Sequence, residues 1–256
     1  MTTPSAVLVV LLSGTAFVAG LVDAVAGGGG LFTVPALLAA GLPPGLALAT
    51  NKGQAAPGAL ASFITFFRRA GLDRRRAPLG FAFGFLGSLV GARLLLAMRP
   101  EPLRPIIAVL LLFALGFMLL RSRIPVRETP LLHPKLLLAL VALTLGTYDG
   151  FFGPGTGSLL IVSFVTLFGD SPLFASGNAK VVNLGSNLAA FLLFAWRGAI
   201  LWQLALPMAV ANMAGARLGA RLALRQGDRF VQVVVTVVVT VVVGKLIFDM
   251  VRAGGA

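Results

Sequence analysis

The sequence contains no cysteine and only one histidine, and these two shortages remove whole classes of chemistry. Without cysteine there is no disulfide, no thiolate metal site and no sulfur relay. His133 precedes Pro134 in a loop-like stretch, and no Ser–His or Cys–His centre can be assembled around a lone imidazole. No G-x-x-x-x-G-K-[ST] phosphate loop occurs, which argues against an ATP-driven motor within the chain. With one tyrosine there is no aromatic–basic platform on which nucleic-acid bases would stack. The expectation is therefore a non-enzyme with no metal, no cofactor and no nucleic-acid partner.

Charge is scarce too. Charged residues make up 11% of the 256, while 58% are apolar, and the mean hydropathy is +0.97. That composition predicts an all-α polytopic membrane protein with the lipid bilayer as its surroundings. Apolar spans of helical length run Ala6–Ala26, Leu46–Phe67, Ala77–Met98, Leu103–Leu120, Leu136–Gly150, Leu173–Phe194, Leu201–Leu224 and Phe230–Val251. Most reach the roughly 20 residues that cross a bilayer, so about eight membrane-spanning segments are expected. The first lacks a basic leader-like start and reads as a membrane helix rather than a cleaved signal.

Glycine, in contrast, is concentrated where it should be harmful. "GLVDAVAGGGGLF" (Gly20–Phe32) carries an aspartate and then four glycines, and "YDGFFGPGTGSLL" (Tyr148–Leu160) repeats the pattern. Such runs break a helix. The short apolar runs that follow, Leu31–Leu42 and Leu159–Phe168, cover only about 15–18 Å and read as half-helices. Asp23 aligns with Asp149, Gly27 with Gly153 and Gly29 with Gly155 at one common offset. "ATNKG" (Ala49–Gly53) answers "SGNAKV" (Ser176–Val181), and "LVGARL" (Leu89–Leu94) answers "MAGARL" (Met213–Leu218). The matches are Gly, Asp, Asn, Lys and Arg rather than generic Leu and Val, which predicts two membrane repeats, 1–125 and 126–256, each with a glycine-broken helix and a half-helix.

Two topologies compete. Either each broken segment crosses once and the repeats are parallel, or helix and half-helix form a hairpin and the repeats are inverted. The hairpin arrangement gathers loops 68–76, 121–135 and 221–229 on one face, which fits the positive-inside rule better, and on that count inverted repeats are favoured. It places these basic loops in the cytoplasm of a protein of the cell inner membrane.

Backbone N–H groups freed at a glycine break survive at membrane depth only inside protein or along a cavity. Gly27, Gly28, Gly29 and Gly30, then Gly155, Thr156 and Gly157, open half-helices whose N-termini would favour an anion; close helix packing through small residues is the alternative. Lys52 and Lys180 follow Asn51 and Asn178 near the starts of apolar helices, and Asn183 and Asn187 share one helix face with Lys180. Anion contact and snorkelling to the interface are the two readings of these lysines. Asp23 and Asp149 are candidate coupling groups or counter-ions to the lysines, or equally caps of the adjacent breaks. Arg93 and Arg217 lie near helix ends and read as snorkelling residues.

These residues resemble the TauE/SafE (TSUP) family of sulfite exporters. The motifs that carry the resemblance are "GLVDAVAGGGGLFTVPALLAAGLPPGLALATNKG" (Gly20–Gly53) and Tyr148–Asn187 with its "GNAKVVNLGSN". The resemblance implies transport of a small anionic substrate, mainly sulfite or an organosulfonate. It also carries over Gly27–Gly30, Asn51–Lys52, Asp149–Gly157 and Asn178–Lys180 as site positions. The resulting expectation is a secondary carrier or facilitator working by alternating access around a central site at the repeat interface. The other classes are an anion channel-like pore and a non-transporting scaffold. The oligomeric state has no signature in the sequence.

Overall fold

The computed structural model describes residues 4–69, 72–120 and 134–226. Nine helices and no strand occur among the described residues: α1 Ala6–Ala26, α2 Gly30–Ala39, α3 Pro44–Arg69, α4 Ala77–Ala97, α5 Pro100–Leu120, α6 Pro134–Phe151, α7 Thr156–Phe168, α8 Pro172–Trp196, and α9 over 202–226. The expected span Phe230–Val251, Arg229 and most of the stretch 121–135 lie outside them.

Local chemistry sets the boundaries. Ser5 caps α1, its Oγ accepting the Leu8 N–H at 3.3 Å. Gly27 ends the same helix in the left-handed region (φ 76°), its N–H donating to the Asp23 carbonyl at 2.9 Å. α3 and α8 both begin at a proline, which fixes φ and lacks the N–H that a first turn leaves unpaired.

The molecule is apolar outside and polar inside. Val7, Val10 and Val210 are at least 70% exposed, while Lys52, Asp149, Lys180, Asn183 and Asn187 are buried. In water this distribution would be unstable; in a bilayer it is the expected one. α1, α4 and α8 are long and apolar enough to cross a membrane. α3, with 26 residues, has the length, but Asn51, Lys52 and Gln54 interrupt its apolar character near the middle. The chain is an all-α polytopic membrane protein.

Each half-helix turns back on the helix before it. Leu31, at the start of α2, shares a core cluster with Val22 and Val25 of α1, whereas Leu37 packs with Leu12 and Ala16. α2 therefore runs antiparallel to α1 and returns toward the face it came from. Likewise Phe164 and Phe168 of α7 pack with Leu138 and Ala142, near the start of α6.

Long-range packing is exchanged between the two segments. α4 lies against α6, so close at Gly91 that a Cβ there would sit 2.0 Å from the Thr147 carbonyl oxygen. The glycine that answers it, Gly215 of α9, lies as tightly on Phe17 of α1. Small residues permit this backbone approach where no hydrophobic effect drives helix association. Near the start of α4, Arg76 bonds Asp73 at 2.6 Å and Asp170 at 2.8 Å, tying the turn before α4 to the α7–α8 loop.

Candidate functional site

The two glycine breaks meet at the centre of the molecule and touch. Ser158 donates its N–H to the Gly27 carbonyl at 2.9 Å and its hydroxyl to the Ala26 carbonyl at 2.7 Å. A Cβ on Gly27 would fall 2.2 Å from the Gly157 carbonyl carbon. No substrate-sized gap separates these glycines, because their backbones satisfy each other.

Just beside this contact stand the two lysines. Lys52 lies eight residues beyond the start of α3 and Lys180 eight beyond the start of α8. At about 1.5 Å per residue each is about 12 Å along its helix axis, too deep in a core about 30 Å thick to be a surface charge. Their side chains do not snorkel; only 4% of Lys52 and 1% of Lys180 is exposed. Instead each lysine pairs with the aspartate of the other segment. Lys52 Nζ lies 2.8 Å from Asp149 Oδ1, and Lys180 Nζ lies 3.2 Å from Asp23 Oδ2 while also donating to the Asp23 carbonyl oxygen. Four charges thus sum to zero, which is what allows them to be buried.

The two pairs differ in their surroundings. Asp149 is 2% exposed, and its second oxygen accepts the Ser186 hydroxyl at 2.6 Å and the Asn187 amide at 3.2 Å. Asn187 in turn accepts from Lys52 at 3.3 Å and donates to Asn183 Oδ1 at 2.6 Å. Asp23 is 28% exposed, and its other oxygen accepts the Gly29 N–H at 3.3 Å, at the N-terminus of α2. The carboxylate of Asp23 therefore occupies two donors, a half-helix N-terminus and a lysine, that would suit an anion.

A cavity of about 40 Å³ opens between the pairs, lined by Asp23, Gly29, Gly30, Asn51, Lys52, Gln54, Ala55, Asp149, Gly153, Asn183, Asn187 and Asn212. About 10–15 Å³ of such space holds one water, so in this conformation the cavity suits a few waters rather than an organosulfonate. Asn51 Oδ1 accepts from Thr33 at 2.6 Å and Gln54 at 2.8 Å. Gln54 Oε1 is buried with no donor among the described residues, and a water or a ligand could supply one.

Of the residues singled out from sequence, Asp23, Gly29, Gly30, Asn51, Lys52, Asp149 and Asn183 line the cavity, and Lys180 adjoins it through Asp23. The others lie elsewhere. Gly27 and Gly157 form the break–break contact, Gly28 is buried beside it with its carbonyl accepting the Leu31 N–H at 3.1 Å, and Gly155 packs on Ala114 of α5. Thr156 bonds its hydroxyl to the Gly153 carbonyl at 2.8 Å. Asn178 belongs to the strap around Arg76, accepting the Asp73 N–H at 2.9 Å and donating to Asp170 at 2.7 Å. Arg93 and Arg217 are exposed. Sequence reasoning passed over Asn212 of α9 and Ser186 of α8; a polar side chain in an apolar span is the signal that both carry.

Comparison with known proteins gives a consistent picture. No solved structure matches the chain. It is 40% identical over 212 residues to a probable membrane transporter protein of Haemophilus influenzae, covering 82% of this chain and 83% of that one. It is 39% identical over 215 residues to the probable membrane transporter protein YfcA of Escherichia coli K12, covering 84% and 80%. A probable membrane transporter protein, ORF9, of Sinorhizobium is 36% identical over 213 residues, covering 82% and 81%. The family profile of the sulfite exporter TauE/SafE matches residues 12–246. A helical membrane protein with a charged, glycine-broken centre, matched over nearly its whole length, belongs to the TauE/SafE family of membrane transporters.

Proposed function

We propose that this transporter is a secondary carrier or facilitator for a small anion, sulfite or an organosulfonate, alternating access around the cavity between the glycine breaks. The observation that carries the proposal is the pair of buried lysines, Lys52 and Lys180, each neutralised among the described residues by an aspartate of the other segment. An ammonium at this depth must keep a negative partner, and a substrate anion can replace a carboxylate without leaving the charge bare. The narrowness of the cavity, about 40 Å³, favours a carrier that must move over a pore that stands open.

The two segments, 1–125 and 126–256, act in this reading as inverted repeats that rock about the site. Support comes from the hairpin return of α2 and α7, which in the first segment leaves an odd number of crossings, α3, α4 and α5. Further support comes from matched bonds: Thr50 of α3 accepts the Leu201 N–H before α9 at 3.1 Å, as Asn178 of α8 accepts the Asp73 N–H before α4 at 2.9 Å. The loops 68–76, 121–135 and 221–229 face the cytoplasm of an inner-membrane protein by the positive-inside rule.

The test is reconstitution in liposomes with sulfite, sulfoacetate, taurine, thiosulfate and sulfate, measuring flux and counterflow. Saturable flux of one of these with counterflow, lost in Lys52→Ala/Lys180→Ala, is the expected result. Folded, inserted protein that moves none of them would remove the assignment to sulfur anions, and linear flux without counterflow would replace the carrier by a pore.

A further inference from the structure

Resting on the anion-carrier reading, the asymmetry between the two ion pairs assigns different tasks to two aspartates that the sequence makes equivalent. Asp149 is a fixed carboxylate. It is 2% exposed and is held by three side-chain donors: Lys52, Ser186 and Asn187. Removing Lys52 from it would still leave two hydrogen bonds in place. Asp23 is a loosely held carboxylate. Its ion pair is longer at 3.2 Å, its one other side-chain bond among the described residues is the 3.3 Å contact to the Gly29 N–H, 28% of the side chain is exposed, and it lines the cavity.

Those two donors, a half-helix N-terminus and an ammonium, are what an incoming anion needs, and Asp23 already occupies both. An anion that takes Lys180 and the Gly29 N–H must therefore evict the Asp23 carboxylate. The other charges at the cavity are Lys52 and Asp149, which neutralise each other and cannot serve the evicted group. A carboxylate stripped of its counter-ion in a partly buried cavity is favoured in its protonated form. We propose that Asp23 is the proton carrier of this transporter: binding of the anion to Lys180 is coupled to protonation of Asp23, one proton with each anion, while Asp149–Lys52 stays ionised.

The charges balance. Before binding, Lys180 and Asp23 sum to zero; afterwards Lys180 and a monoanion sum to zero and Asp23 is a neutral acid. No bond in the anion is made or broken, and the proton comes from, and returns to, water. A monoanion then crosses electroneutrally, and a pH gradient drives it.

The experiment is calorimetric titration of the purified full chain with methanesulfonate, sulfate and sulfoacetate, each fully ionised near neutral pH and unable to carry a proton. Repeating the titration in buffers of different ionisation heat reads the protons taken up per anion bound. Wild type is expected to take up about one proton per anion, Asp23→Asn to bind with that uptake lost, and Asp23→Glu to keep it. Binding by wild type without proton uptake overturns the proposal and leaves the carrier reading standing, as does undiminished uptake in Asp23→Asn. No binding of any of the three, nor of sulfite, taurine or thiosulfate, overturns both. Should Asp23→Asn fail to fold, the wild-type stoichiometry and its retention in Asp23→Glu still decide the matter.

Discussion

The crossed ion pairing makes a quantitative prediction at Lys52. Replacing it by methionine keeps most of the side-chain volume and leaves Asp149 without its cation. Removing one member of a buried pair costs about 3–5 kcal/mol. Ser186 and Asn187 still donate to the carboxylate, and the adjoining cavity has room for a water, so the low end applies. Lys52→Met is thus expected to cost about 3 kcal/mol, roughly a hundredfold in the folding equilibrium. Asp149→Asn leaves Lys52 facing neutral amide oxygens, the one retained at position 149 and that of Asn187 at 3.3 Å, without its counter-charge, and is expected to cost a similar amount. The double variant removes both charges and should cost less than the two singles together, by about 2 kcal/mol. The assay is reversible unfolding in mixed micelles followed by circular dichroism, with Lys52 and Asp23 as a second cycle. Those two are each paired elsewhere, and their interaction is expected to be smaller. Additive costs for Lys52 and Asp149, within about 0.5 kcal/mol, would refute the pairing.

Three further outcomes are open to measurement. Gly27→Ala combines a left-handed backbone with a Cβ only 2.2 Å from the Gly157 carbonyl carbon, so thermal stability in detergent should fall far more than for Gly41→Ala, where φ is 85° but an added Cβ meets nothing within 4 Å among the described residues; the latter should cost only about 1–2 kcal/mol. Burial pushes the Asp73 carboxyl up, but the Arg76 guanidinium and the N–H groups of Arg75 and Arg76 outweigh it, and the group lies below its ordinary 3.8. Its stabilising effect is therefore complete above that value and is lost as the pH falls through the lowered one; acid unfolding should show it, and Asp73→Asn should flatten that limb by no more than about 1 kcal/mol for so exposed a group. Asn178→Ala should lower stability by about 2 kcal/mol, since it loses a bond to the Asp170 carboxylate, and leave the anion KM unchanged.

How much of this was legible in the sequence depends on whether the deciding interaction is local. The bounds of α1 were read as Ala6–Ala26 from a local signal, an apolar run that ends at the glycines, and in the structure a serine cap and left-handed Gly27 mark the same ends. The half-helices were readable for the same reason. Which aspartate faces which lysine was not, since Asp23 and Lys180 are 157 positions apart and no local pattern records their approach. Asn178 shows how a one-residue offset misleads. Asn51 immediately precedes Lys52, about 100° away around the helix, whereas Asn178 stands two before Lys180, about 200° away, and so faces a different neighbour. Its counterpart is Thr50, which ties down the start of α9 as Asn178 ties down the turn before α4. Asn212 was within reach of the repeat: it stands three before Gly215, as Ser88 stands three before Gly91, and the buried Ser88 bonds the Ser186 carbonyl at 2.5 Å.

Crossing the pairs has a mechanical consequence for the proposed rocking motion. Were each lysine paired within its own segment, the segments could slide without touching any ion pair. With Lys52 on Asp149 and Lys180 on Asp23, relative movement lengthens both pairs at once. Leaving a buried charge unpaired costs about 3–5 kcal/mol, so an empty site moving with both pairs broken would face a barrier of up to about 10 kcal/mol, whereas an anion on Lys180 with a protonated Asp23 removes one of the two terms. Each term removed is roughly a hundredfold or more in rate. The pair on Asp149 can stretch with its carboxylate still held by Ser186 and Asn187, both on α8 and hence on the same segment as Asp149, so its remaining cost is lower than that of a bare charge. The device would thus discourage leakage from the empty carrier and release it when substrate arrives, with the two lysines acting as latch and reader from opposite segments.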